Sequence, residues 1–229
     1  MRGRSEGRRP LTLKALRREG CSWDPWTCSS AALEGHLPIV EYAHEHGCPW
    51  NKMTCAAAAK EDHLHVLKYA HENGCPWGET TCRWAARGGH IDVLRYAHEH
   101  GCPWDERTCE NAAAGGHLRV LKYAHENGCP WNGMTCFMAA KRGYLDVLEY
   151  AHENGCPWDE STCAAAASKG HIAILKYAHT NGCPWDASAC ALIAVKQRHP
   201  HVYAWILNVR SKDAMSYWRQ PNVFPWNRT

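Results

Sequence analysis

The chain has 229 residues and a formal net charge of +3, and it is rich in Cys (14), His (16) and Trp (12) but has only 2 Phe. It has no run of about 18 apolar residues, so no membrane-spanning helix is predicted, and its first ten residues lack the apolar core of a secretory signal. Basic residues are concentrated at the two ends and the body between them is net acidic, which argues against a nucleic-acid binder.

One four-residue sequence, Gly-Cys-Pro-Trp, recurs every 27 residues. The copies stand at 47–50, 74–77, 101–104, 128–131, 155–158 and 182–185. A variant, Gly-Cys-Ser-Trp, lies one period earlier at 20–23. A strict period of this length indicates a solenoid, in which each unit buries its apolar face only against its neighbours. The excess of Cys, His and Trp follows from the copying of this unit.

The period divides the chain into three segments. Residues 1–10 are rich in Arg and Gly and are predicted to be a disordered basic tail. The repeat array is predicted over 11–207, as a half repeat at 11–19 followed by about seven units, of which the last is degenerate. Residues 208–229 are predicted to be an irregular C-terminal tail that folds back over the open end of the array. The residues expected to make that contact are Tyr217, Trp218, Phe224 and Trp226.

Each unit is predicted to contain two helices. In the copy that follows Trp158, helix one begins after an N-cap at Asp159 and ends at Gly170, and helix two runs over 172–180. The cap side chain is expected to accept a hydrogen bond from the N–H of the Thr three residues later, as at Asp24 and Thr27. In the seventh copy Gln and Arg, at 197–198, stand in place of the Gly-His that joins the two helices.

The junction between the helices carries a family resemblance. The sequence Ala-Ala-x-x-Gly-His-(Leu/Ile)-x-Val-Leu, followed by a long helix and a terminal Gly, resembles the ankyrin repeat. It recurs, with substitutions, at 58–67, 85–94, 112–121, 139–148 and 166–175. Units with this Cys-Pro-Trp signature are similar to the divergent ankyrin-type arrays of large DNA viruses, algae and protists. The resemblance implies an all-α, ankyrin-like solenoid of stacked antiparallel helix pairs. Because the unit has 27 residues instead of about 33, the hairpin between repeats is expected to shrink to a tight turn.

The repeated Cys and His residues could instead hold a metal or respond to redox state. Each unit has two Cys seven residues apart, which is not a usual zinc-site spacing, and both are interpreted as small buried residues. The His rows follow the inter-helix Gly and the end of helix two, where a structural role is preferred. The repeated Trp is expected to cover the junction between neighbouring units. No metal site and no cofactor are therefore predicted.

No catalytic constellation is present in the sequence. It contains no nucleophile elbow, no Gly-rich phosphate loop and no His-Glu-x-x-His motif. Function is expected instead at the helix-one positions that differ between copies, which face away from the Cys and Ala side. In ankyrin repeats this helix lines the concave groove. The predicted partner-binding residues are Trp26, Met53, Arg83, Trp84, Arg87, Arg107, Glu110, Asn111, Met134, Phe137, Met138, Lys141 and Arg142.

The sequence therefore predicts a non-catalytic scaffold or adaptor that binds another protein through the helix-one face. It is expected to be an intracellular monomer, cytoplasmic or alternatively nuclear, with neither a membrane nor a nucleic acid as partner. Two alternatives stay open: a metal-binding or redox-responsive Cys/His array, and a fragment of a larger adaptor.

Overall fold

The computed structural model describes the backbone of residues 23–218 and the side chains of residues 23–211. Within this range the chain is all α-helical and has no β-strand. The predicted fold class is confirmed, because antiparallel helix pairs stack in repeats as in an ankyrin solenoid. The predicted basic tail and the half repeat lie outside the described residues, as do the side chains of Tyr217, Trp218, Phe224 and Trp226 that were expected to cover the end of the array.

The chain divides into two compact units, Met1–Trp131 and Asn132–Thr229. The described helices of the first unit are α1 Pro25–Leu33, α2 Leu37–Glu45, α3 Lys52–Lys60, α4 Leu64–Glu72, α5 Glu79–Gly88, α6 Ile91–Glu99, α7 Glu106–Gly115 and α8 Leu118–Glu126. Those of the second unit are α9 Gly133–Arg142, α10 Leu145–Glu153, α11 Glu160–Lys169, α12 Ile172–Thr180, α13 Ala187–Lys196 and α14 Pro200–Trp218. Odd-numbered helices are the helix-one members of each pair, and even-numbered helices are the helix-two members.

Small side chains set the packing of the helix-one layer. In the first unit α1 contacts α3, α3 contacts α5 and α5 contacts α7, and each of these four helices packs on its own helix two. On α5 the contacts are made by Cys82, Ala85 and Ala86, which are fully buried, as the sequence predicts. On the neighbouring α6, Val93 and Leu94 are also fully buried. The core of the unit therefore lies between the two helix layers, and the other side of helix one is left to solvent.

Short turns join the repeats, and the family's hairpin is absent from the described residues. Six residues, 46–51, connect α2 to α3. Within this turn Gly47 has a φ of 76°, in the left-handed region where Gly carries no Cβ penalty. The expectation of a hairpin reduced to a tight turn is confirmed.

The N-cap hydrogen bond from the N–H three residues on forms at Asp24 and at Asp186 and differs in the copies between them. Asp24 accepts from the N–H of Thr27 at 2.9 Å, as expected. Asn51 instead accepts from the N–H of Met53 at 2.8 Å, two residues on. The reason is that Thr27 is only half-buried and its hydroxyl joins Asp24, whereas the equivalent Thr54 is fully buried. Asn132 and Asp159 accept two residues on in the same way.

The end of the second unit differs from the prediction in two ways. The helix α14 continues to Trp218, so residues 208–218 are helical where an irregular tail was predicted. The join between α13 and α14 is also shifted by one residue, because Arg198 adopts the left-handed conformation at φ 60°. His199, not Arg198, therefore takes the place of the repeated His.

Candidate functional site

All thirteen predicted partner-binding residues lie on helix-one members, and none of them is buried. Eight belong to the first unit and five to the second, where all five lie on α9. The three most exposed large apolar residues among them are Trp26 at 70%, Met134 at 42% and Met53 at 40%. Six of the thirteen are exposed, and the other seven are half-buried, namely Arg83, Arg87, Glu110, Asn111, Phe137, Met138 and Lys141.

The first unit has a pocket on this face that the variable residues build together. It has a volume of about 360 Å³ and is lined by side chains of α1, α3 and α5. The large lining residues are Trp26, Met53 and Trp84. Ala56 and Ala57 line the pocket at the α3 positions where α5 carries Arg83 and Trp84. Because these α3 side chains are small, space stays open between the larger ones.

Lys60 lines the pocket at the last residue of α3. Its ammonium lies over the ring of Trp84, 5.7 Å from the ring centroid, in cation–π geometry. It also bonds the Glu61 carboxylate at 2.9 Å, and both side chains of this ion pair are more than a third exposed. Ion pairs with this exposure contribute little free energy, so the ammonium can exchange Glu61 for another carboxylate.

A salt bridge forms on the same face, between α5 and the N-cap of α7. The Arg83 guanidinium bonds both oxygens of Asp105, with Nε to Oδ1 at 2.9 Å. The hydrogen bond from Arg83 lowers the pKa of the Asp105 carboxyl below its ordinary value, and the carboxylate raises the pKa of Arg83. Both side chains are mostly buried. Arg83 is therefore committed to a contact within the protein and is a weaker candidate for partner binding than the sequence suggests.

The remaining predicted residues of the first unit do not line the pocket. Asn111 donates its amide to the carbonyl of Arg107 at 2.8 Å, one turn earlier on α7. Arg87 is half-buried on α5, at the position equivalent to Lys60 on α3. The structure thus joins three of the predicted residues, Trp26, Met53 and Trp84, in one site.

In the second unit the candidate residues form an apolar and basic stretch on α9. The ammonium of Lys141 lies 5.4 Å from the ring centroid of Phe137. Met134 is exposed, and Met138 is half-buried. Met and Phe are among the residue types enriched at protein interfaces, whereas Lys is depleted there, so the apolar side chains carry the interest of this stretch.

Sequence reasoning missed the small residues and the lysine of the first pocket. Ser29, Ser30 and Leu33 of α1 line it, together with Ala56, Ala57 and Lys60 of α3. A signal was available, because each occupies one of the variable positions that follow Thr-Cys or Ala-Ala. The residues predicted from the sequence at those positions are mainly large or charged, whereas a pocket also needs small side chains between the large ones.

The cysteines lie in the interior, as the sequence predicts. Thirteen of them, from Cys28 to Cys190, are buried, and none of these thirteen forms a disulfide. Cysteines of neighbouring repeats pair with each other, as Cys55 does with Cys75. The hydrogen bond between these two thiols, together with burial, raises the pKa of Cys55. Burial raises the pKa of Cys190 to about 11. A buried thiol that resists deprotonation is a poor nucleophile, because the thiolate is the reactive form.

The His that follows the inter-helix Gly bonds the previous repeat. His117 Nε2 donates to the carbonyl of Arg87 near the end of α5, at 3.1 Å. His63 and His90 bond the carbonyls of Leu33 and Lys60 in the same way, at 3.1 and 3.0 Å. In the second unit His199 bonds Ser168 O at 3.1 Å. Carbonyls at a helix C-terminus lack intrahelical partners, so each His satisfies one of them and the structural reading of this row is supported.

The repeated Trp covers the junction between neighbouring repeats, as predicted. Trp77 stacks on His71 of α4 with 3.8 Å between ring centroids. Its other contact is edge-on to Tyr96 of the next helix two, with centroids 6.3 Å apart. The second unit repeats the arrangement with His152, Trp158 and Tyr177. The second His row thus belongs to an aromatic stack between repeats.

The described residues show no arrangement suited to covalent chemistry. The Ser29 hydroxyl in the pocket donates to the carbonyls of Pro25 and Trp26 on its own helix. In residues 23–211 there is no group of three or more His, Cys, Asp or Glu side chains placed to hold a metal ion. Among the described helices, none is long and apolar enough to cross a membrane. What the site offers is an open apolar pocket with one cation at its rim.

The comparisons with known proteins point to one family. A family model described as ankyrin repeats (many copies) matches residues 54–98 and 82–125. A search of curated protein sequences found no match. Among solved structures, the crystal structure of the human ASB11 ankyrin repeat domain is similar, with a TM-score of 0.57 and 16% sequence identity. That similarity covers 68% of this chain and 83% of the human domain, and at this identity it concerns the fold alone.

These findings agree with the architecture. The matched residues 54–125 contain α4, α5, α6 and α7 and most of α3 and α8, all in the first unit. Ankyrin repeats generally mediate protein–protein interaction and are typically not catalytic. The resemblance to the ankyrin repeat is therefore confirmed, directly for residues 54–125 by the family model and in fold by the solved domain.

Proposed function

We propose that this chain is a non-catalytic adaptor that binds a partner protein through the helix-one face. The observation that carries the proposal is the pocket in the first unit, where Trp26, Met53 and Trp84 are 70%, 40% and 38% exposed. Large apolar side chains gathered around one open pocket on a soluble surface favour an interaction site. Trp in particular is enriched among the residues that dominate binding energy.

The proposal extends to the form and the environment of the protein. The chain acts as a monomer, since a stack of repeats needs no second copy to bury its core. It works inside the cell, in the cytoplasm or the nucleus. Thirteen buried cysteines that form no disulfide fit a reducing compartment. The partner is a protein rather than a nucleic acid or a membrane, because the pocket is mainly apolar and has a single cation.

The test compares partner capture by the full chain and by two variants. The pocket variant carries Trp26→Ala, Met53→Ala and Trp84→Ala. The control carries Glu45→Ala, Glu72→Ala and Glu99→Ala, which are exposed residues at the ends of helix-two members. Tagged proteins capture partners from lysate, and quantitative mass spectrometry measures each captured protein after circular dichroism has shown equal helicity.

A partner reduced at least tenfold by the pocket variant, and retained by the control, supports the proposal. Truncation of a dominant interface residue costs about 2 kcal/mol or more, and that corresponds to a larger loss than tenfold. If both variants capture the same partners as the original chain, the helix-one pocket of the first unit is not the binding site. A matched variant with Phe137→Ala and Met138→Ala then tests α9.

A further inference from the structure

We infer that the pocket between Trp26 and Trp84 takes a bulky apolar side chain of a partner peptide, and that the same peptide places a carboxylate at Lys60. The inference rests on the proposed function, because it names the chemistry of the partner for the same surface. It goes further in stating which peptides bind and which are rejected.

The lining of the pocket favours an apolar anchor. Two indoles and the Met53 thioether surround a space of about 360 Å³, within the range of about 300–1,000 Å³ typical of ligand pockets. The α3 side chains between them, Ala56 and Ala57, add no polar group. An aromatic or large aliphatic side chain would bury its own apolar surface and part of the exposed indoles. Aromatic pairs and sulfur–aromatic contacts both add binding free energy beyond the burial of apolar area.

Two tryptophans in a pocket also resemble an aromatic cage for a cation such as methyl-lysine. The charge of this pocket argues against a cationic ligand. Lys60 already lies over the Trp84 ring, 5.7 Å from its centroid, and would repel a second cation. No Asp or Glu is among the residues that line the pocket, so a buried cation would have no counter-charge there.

The position of Lys60 sets the spacing between the anchor and the carboxylate. Lys60 is three residues after Ala57 on α3, a rise of about 4.5 Å along the helix. Neighbouring residues of a peptide are about 3.8 Å apart between Cα atoms, so the carboxylate belongs one or two residues from the anchor. Glu61 holds the ammonium only through an exposed ion pair, which a peptide carboxylate can displace.

The experiment is a selection of phage-displayed random 12-residue peptides on the full chain, read by deep sequencing. Kd values of enriched peptides are then measured by fluorescence polarisation. Three variants are selected and measured in parallel: Trp84→Ala removes an indole, Lys60→Glu reverses the rim charge, and Glu72→Ala on α4 is the control. We expect enriched peptides with Phe, Trp, Leu or Met and an Asp or Glu one or two residues away. Affinity falls at least tenfold with Trp84→Ala and stays within twofold with Glu72→Ala.

The charge-reversed variant gives the sharpest outcome. With Lys60→Glu the acidic residue next to the anchor should be replaced by Lys or Arg in the enriched peptides. The inference is overturned if the original chain enriches cationic or polar anchors, or if Lys60→Glu enriches the same peptides as the original chain. If those results occur while the lysate partner still depends on Trp26, Met53 and Trp84, the proposed function stands and only the peptide chemistry is wrong. If neither partner nor peptides depend on these residues, both proposals fail.

Discussion

Each repeat has a surface that keeps its side chains from copy to copy and another that changes them. On the stacking surface, made by the Trp of each turn and the His and Tyr of helix two, the ring contacts recur almost unchanged. The His–Trp centroid distance is 3.8 Å at Trp50, Trp77, Trp104, Trp131 and Trp158. On the helix-one face, the position of Ser30 is occupied in later copies by Ala57, Trp84 and Asn111.

The contrast separates the residues that hold the repeats together from those available for recognition. A stacked ring bridges two neighbouring repeats, so a substitution in one repeat disturbs the packing of the next. A side chain on the helix-one face meets solvent, so its replacement leaves the core intact. The pocket exists because three copies differ at that face, with small residues on α1 and α3 beside the indole of α5. Under the proposed function, recognition depends on the differences between copies, whereas stability depends on their identity.

The largest effect on stability is expected from Leu94→Ala in the repeated core. Leu94 is fully buried on α6, and removing a buried Leu side chain typically destabilises by about 2–5 kcal/mol. Urea unfolding followed by circular dichroism measures the change. The matched variant is Met53→Ala on the helix-one face, 40% exposed, for which we expect less than about 1 kcal/mol. Equal losses for the two variants would contradict the division between the surfaces.

A smaller loss is expected from His117→Ala, which removes the bond between repeats. The substitution leaves the Arg87 carbonyl without its His donor, and an orphaned polar group costs about 1–3 kcal/mol. The control is His100→Asn, because Asn already fills the equivalent place at Asn73. There its amide donates to the Tyr69 carbonyl at 2.9 Å, as His100 Nδ1 bonds Tyr96 O at 2.8 Å. We expect His100→Asn to change the free energy of unfolding by less than about 0.5 kcal/mol.

The repeated part of the fold could be predicted from the sequence because local signals agree with one another. Gly after each helix, Asp or Asn before helix one, and the Cys and Ala side of α5 each indicate the same helix pair. The boundaries of α12, Ile172–Thr180, match the sequence prediction. A period repeated six times averages out the uncertainty of any one helix end.

The features that could not be predicted depend on contacts between repeats or on one altered repeat. Asp105 makes no side-chain cap hydrogen bond and instead bonds Arg83, which is 22 residues away. No other copy has Arg at the position of Arg83. His199 takes the place of the repeated His one residue later than the period predicts, and only the left-handed backbone conformation of Arg198 reveals this displacement. The pocket needs the empty volume over Ala56 and Ala57, and a sequence shows side chains but not the space between them.

The Arg83–Asp105 salt bridge gives a moderate, pH-dependent effect that belongs to a single copy. Asp105→Asn removes the charge of a mostly buried, two-point ion pair, and we expect a loss of about 1 kcal/mol at neutral pH. Because Arg83 lowers the pKa of Asp105 below 3.8, the folded protein binds this proton less tightly than the unfolded chain. The contribution is therefore complete above the ordinary carboxyl pKa. It declines as the pH falls through the folded-state value.

Urea unfolding of the original chain and of Asp105→Asn across pH 2.5–7 checks the sign, with a range that brackets the carboxyl pKa of about 4. The difference between the two proteins should be constant from about pH 5 upward and should shrink below about pH 4. A difference that grows on acidification would contradict the salt bridge. Glu61→Gln is the control, because its ion pair with Lys60 is exposed and should contribute little at any pH.

The smallest effect on stability is expected from Trp26→Ala, although its side chain is one of the two indoles that line the pocket. Trp26 is 70% exposed, so its removal takes away little buried surface, and the free energy of unfolding should change by less than about 0.5 kcal/mol. Its matched counterpart is Trp77→Ala on the stacking surface, where the ring touches both His71 and Tyr96. We expect that variant to lose about 3 kcal/mol, near the lower end for a truncated Trp because the ring is only half-buried. Thermal and urea unfolding of the two variants therefore test whether Trp77 stabilises the stack of repeats while Trp26 does not. Similar losses for both would mean that Trp26 belongs to the framework and that the pocket it lines is structural.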